Sequence, residues 1–276
     1  MESDTDGLVD DDYAPLPPEI WEEICDCVPM CDLLNLSGAN RALHDRMHRV
    51  AVHTQEELSA ALAAHDMTLI VLAADGLTVA DRPRSGAWIV ATGDTCLTAT
   101  AGTVHVRESV QVTATGHARV HAEGQARVTT HHNAHTYACE QTLVTAHGQS
   151  SVSAHGQAQV TVHGSAYAYA CDEAQVTAHD DTRVHAQGQA RVTAYDFTHV
   201  GVCGRAHVTA HGRATVRAAD DTEVIATEAA HVNAARDRAQ VTADGETTVN
   251  AHDNAHVTAT RTVTVRTYDQ ATITRI

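Results

Sequence analysis

The chain has 276 residues, of which 43% are hydrophobic but only 3% aromatic, and a formal net charge of -17. An acidic chain with no basic patch is a poor partner for nucleic acid. No run approaches the roughly 18 apolar residues of a membrane span. All 18 basic residues are Arg, with no Lys anywhere.

The N-terminal segment opens on Met1-Glu2-Ser3-Asp4 and lacks the basic-then-apolar pattern of a signal peptide, which predicts a soluble intracellular protein, cytoplasmic or nuclear, with no membrane association. The seven Cys are then expected to be reduced thiols. Residues 1–50 hold 12 Asp and Glu against 3 Arg, a net -9, so the charge is concentrated at this end. Within it, residues 1–13 are rich in Asp and poor in apolar side chains, which predicts a disordered acidic tail.

Residues 14–50 read as two or three short helices. Pro18 suits a first helical turn, and Ile20, Ile24 and Val28 recur at helical spacing. Pro29 ends that helix and Asp32 caps the next, which carries Leu33, Leu36 and Leu43. In order, the segment supplies Leu16-Pro17, Glu19-Ile20, Ile24, Val28-Pro29, Asp32-Leu33, Leu36-Ser37 and Asn40-Arg41. This set resembles an F-box over about an eighth of the chain. The resemblance implies docking to the Skp-type adaptor of a cullin-RING ubiquitin ligase, with Leu16, Pro17, Ile20, Ile24, Leu33 and Leu36 as the partner-binding positions. The plainer alternative is that these helices only cap or precede the C-terminal repeat. Cys25, Cys27 and Cys31 fit no usual zinc spacing.

A further helix is expected at Thr54 to Ala64, where Thr54 and Glu57 form a capping box and Leu58, Ala61, Leu62 and Ala64 give an apolar side. Its expected role is a lid on the open end of the repeat array. Residues 67–73 and 77–80 read as strands around an Asp75-Gly76 turn, and residues 81–103 as an irregular transition.

From Val104 onward one phrase recurs. Val or a replacement falls every eight residues to 232, and then, after one inserted residue near Arg236, at 241, 249, 257, 265 and 273. The flanking residues alternate small and polar, the period-two mark of a strand with one buried face. Four residues after each Val comes Gly, Asp or an occasional Glu or His, residue types suited to the left-handed backbone of a tight corner. Thr follows the Val only in alternate phrases, as at 113, 129, 145, 161 and 177. A sixteen-residue period implies two strands per coil. The expected fold class is therefore mainly β: a two-sheet parallel β-solenoid of about eleven regular coils over residues 104–276, a rod about 50 Å long. Stability is expected to come from stacking many thin coils.

Outward columns are the only candidate chemistry. His131, His147, His163, His179, Tyr195 and His211 fall one coil apart and are expected to stack, as a pH-sensitive strip or simply a tolerated polar ladder. Cys139, His155, Cys171, Gln187 and Cys203 form a second column, its thiols two coils apart and too distant for a disulfide. The repeat style resembles ice-binding solenoids, but the partner of each Thr is usually His and Arg or Gln flanks it. No nucleophile motif, phosphate loop or zinc signature is present. The expectation is a protein that is not an enzyme, with no metal and no cofactor: an adaptor whose solenoid presents side-chain columns to a target protein. The alternative is a structural rod that self-associates through its C-terminal edge, opposed there by Arg261, Arg266 and Arg275.

Overall fold

The four-residue phrases become strands because each places two small apolar side chains inward and two polar ones outward, and the corner residues between them accept positive φ. The computed structural model describes residues 48–64, 68–83 and 88–276. The acidic tail and the leucine-rich segment up to residue 47, with Leu16, Pro17, Ile20, Ile24, Leu33 and Leu36, lie outside the described residues.

The described chain is a parallel β-solenoid of about 14 turns. Strand β1 (His48–Val52) is followed by helix α1 (Gln55–Ala63), β2 (Thr68–Leu72), β3 (Leu77–Val79), β4 (Trp88–Ala91), β5 (Cys96–Ala99) and β6 (Thr103–Val106). Regular strands then run from β7 (Gln111–Ala114) to β27 (Thr272–Arg275). β1, β2 and the even strands make a 14-stranded sheet; the odd strands from β3 make a 13-stranded one. Each strand pairs in parallel with the strand one coil away, so Thr145 lies between Thr129 and Thr161 in the 13-stranded sheet. Tyr137 lies between His121 and Ser153 in the other. Thr and non-Thr columns therefore occupy different faces of the rod.

The strands expected at 67–73 and 77–80 are present, and residues 51–103 hold the expected capping helix and irregular first coils. One expectation is corrected: residues 81–103 are not a transition outside the repeat, because β4 and β5 belong to the same two sheets. Ile70 pairs with Ile89 and Ile89 with Val104, coils of 19 and 15 residues whose Leu and Ile replace Val. Their unequal corners break the eight-residue count, and so the turns exceed eleven. The inserted residue expected near Arg236 is absorbed inside the adjoining β22 (His231–Ala235). Against β20 (Thr215–Ala218), Val216 pairs with Val232 but Arg217 with Ala234, a bulge that restores the register at the next corner.

The core is a column of Val and Ala between the sheets, and nearly all of these side chains are fully buried. Each Val contributes about 1.5 kcal/mol or more on burial. Some buried hydroxyls donate to a corner carbonyl: Ser150 Oγ to that of His147 at 2.9 Å and Thr198 Oγ1 to that of Tyr195 at 2.6 Å. Thr136, one of the Val replacements, meets Thr130 across the core at 3.0 Å.

At the N-terminal end the capping box forms as expected, with Thr54 and Glu57 bonding each other's backbone N–H groups. Leu58 and Leu62 of α1 are buried and join the solenoid core. Gln55 also covers the edge of the 13-stranded sheet: its Oε1 accepts from Thr78 N–H at 2.8 Å and its Nε2 donates to the Thr78 carbonyl at 2.9 Å. One side chain thus stands in for a missing strand on β3. At the other end, β26 (Thr264–Thr267) and β27 are largely exposed. There Arg275 Nη1 donates to the carbonyls of Thr260 at 2.7 Å and Val263 at 3.0 Å.

Candidate interaction surface

The parallel register sets equivalent side chains one coil apart, which turns isolated rings into stacks. On the 13-stranded side His131, His147, His163 and His179 are stacked with centroids 4.9–5.2 Å apart, and the ladder continues through Tyr195 to His211 at 4.9 and 5.1 Å. Interplanar angles stay between 6° and 13°. His131 is held below its usual imidazole range by partial burial, then by the neighbouring His147 and His132. A second ladder, not recognised in the sequence, lies on the 14-stranded side: Trp88, His105, His121 and Tyr137 stack at 5.7, 4.7 and 4.8 Å. His105 is only 4% exposed. Burial, followed by His121 and Arg107, pushes it down to about 3.

The cysteine column forms as expected. Cys171 is buried, and its sulfur accepts from Gln187 Nε2 at 3.2 Å. None of Cys139, Cys171 and Cys203 is in a disulfide. Burial, followed by Asp220 and Cys171, raises the Cys203 thiol. Among the described residues no three His, Cys, Asp or Glu side chains converge as a metal site, and no helix is long and apolar enough to cross a membrane.

The corner acids do more than tolerate positive φ. Asp180, at φ 61°, accepts the Gly164 N–H one coil earlier at 2.8 Å. Asp172 does the same for Gly156 at 3.1 Å, Asp220 for Gly204 at 2.8 Å, and Glu140 for Gly124 at 2.8 Å. Each carboxylate satisfies a corner amide that the strand ladder leaves out. Several also approach the preceding imidazole: His163–Asp180 and His179–Asp196 are both 3.9 Å. A signal for this existed in the sequence, since an acid often falls sixteen residues after a corner Gly.

No protein-family model, curated protein sequence or solved structure matches the chain. The surface must therefore be read from its own chemistry. It offers flat ladders of rings, hydroxyls and amides repeated at one-coil spacing. Such a surface suits recognition of something extended or broad.

Proposed function

We propose that this chain is a non-enzymatic adaptor, in which the F-box-like residues 14–50 dock to a Skp-type adaptor of a cullin-RING ubiquitin ligase and the solenoid presents its ladders to a target. The observation that carries the reading concerns the end of the rod. Leu58 and Leu62 of α1 complete the core, and Gln55 covers the edge of β3. Residues 48–276 thus supply lid elements of their own at this end, as an adaptor with a separate docking segment requires. The absence of Lys fits the same role, because a recruiter without Lys offers the ligase no side-chain amine of its own.

The test is co-purification of the full chain with a Skp-type adaptor, wild type against Leu16→Asp with Pro17→Asp. Capture by the wild type and its loss in the variant are expected. Equal capture by both, or by neither, sinks the adaptor reading. A second reading, a self-associating rod, is favoured by the exposed strands β26 and β27, where Ile273 is 40% exposed.

A further inference from the structure

Where one set of corners meets the 13-stranded sheet, the surface is hollowed into a shallow groove of about 960 Å³. It crosses six successive coils, from Ser109 and Gln111 to Gln189 and Arg191. Its corner side is a ladder of amides, Gln125, Gln141, Gln157 and Gln189; its strand side carries Gln111, Gln159 and Gln175. Only Gln157 is engaged, donating through Nε2 to Glu173 Oε2 at 3.2 Å. The other six amides have no side-chain hydrogen bond among the described residues, so each rung offers a donor and an acceptor to a ligand.

We propose that this groove binds a neutral, extended β-linked polysaccharide, one sugar residue per coil. Three features select that class. An amide that donates and accepts side by side matches the neighbouring hydroxyls of a pyranose ring. The groove's charges cancel, Arg127 and Arg191 against Asp94 and Glu173, which disfavours a polyanion in a protein of net charge -17. Spacing disfavours an extended peptide: on the same sheet, His rings one coil apart lie 4.9–5.2 Å from one another, whereas same-face side chains of a strand repeat at about 6.6 Å. The sugars of an extended β-linked chain advance by close to one coil spacing, so successive residues stay in register with successive amides. A helical peptide needs an apolar trough, and Leu143 is the sole apolar side chain of this one. The groove has no aromatic platform for stacking bases, which a single-stranded nucleic acid requires. The inference stands independently of the adaptor reading.

The test is calorimetric titration of the full chain with β-1,4-linked gluco-, manno- and chito-oligosaccharides of increasing length. Maltohexaose, heparin and an extended polyglutamine peptide serve as comparators. Affinity for at least one β-linked series is expected to rise with each added sugar and level off at about six, one for each coil of the groove. Gln141→Ala with Gln157→Ala should weaken binding tenfold or more; Gln149→Ala, an exposed amide on the opposite corners, should leave it unchanged. The proposal is overturned by no binding of any β-linked series, by affinity independent of length, or by an equal loss in the Gln149 variant. Preference for heparin or the peptide overturns it equally, and reassigns the groove to a polyanion or a protein. All three positions are exposed, so unchanged melting of the variants is expected to separate lost binding from lost fold.

Discussion

Corner geometry makes a contrast that can be measured with a single added methyl. Gly148 and Gly245 have nearly the same backbone, with φ at 71° and 72°. An alanine at either must hold the left-handed conformation, at roughly 1–2 kcal/mol, offset by about 0.4–1 kcal/mol from its less flexible unfolded chain. At Gly148 little more is added, because the new Cβ would lie 3.5 Å from its nearest neighbour, the His132 nitrogen. At Gly245 the Cβ would lie 2.8 Å from the Glu228 carbonyl oxygen and 3.0 Å from its nitrogen. Two backbones must part, an overpacking cost of roughly 1–3 kcal/mol. Gly148→Ala should therefore cost about 0.5–1 kcal/mol and Gly245→Ala about 2–4 kcal/mol. For a domain of this size the second should lower the melting temperature by about 5–10 °C and the first by only about 2 °C. Thermal unfolding followed by far-ultraviolet circular dichroism reads both. Equal shifts in the two variants would refute the claim that coil-to-coil approach, rather than φ alone, sets the glycine requirement.

His105 gives a pH prediction. Its folded value lies near 3 against an ordinary 6.5, so the unfolded chain takes up a proton that the folded chain refuses. Its contribution is intact above pH 6.5 and is lost as pH falls from there towards 3, by up to about 1.4 kcal/mol per pH unit. His105→Phe, which keeps a ring between Trp88 and His121, should flatten stability against pH in urea melts between pH 6 and 4; a slope identical to wild type refutes this. For the rod reading, sedimentation velocity should show oligomers growing with concentration, and a monomer at every concentration removes that reading.

The fold was legible because its determinants repeat. The Thr column of alternate phrases specified two strands per coil, and the structure puts Thr113, Thr129 and Thr145 in consecutive strands of one sheet. The strands at 67–73 and 77–80 were legible, but how the first coils stack was not: Ile70, Ile89 and Leu97 do the work of Val at unequal spacing, and pairing is fixed by the partner coil, which no local pattern states. The corner acids show a second limit. Their residue type was explained by backbone conformation alone, while the hydrogen bond from Gly164 to Asp180 had only the sixteen-residue Gly-to-acid spacing as its signal. The ring ladder was read correctly on the 13-stranded side, where His recurs. It was missed on the other, where Trp88, His105, His121 and Tyr137 share a column but not a residue type.

The backward reach of the corner carboxylates gives the rod a polarity of assembly. Asp180 completes the corner of the coil before it, as Asp220 and Glu228 do for theirs. A coil is thus finished only when its successor arrives. During synthesis the α1-capped end can act as a template on which each emerging coil zips down and locks the last one. Opening should run the other way, beginning at β26 and β27, whose side chains are already in solvent.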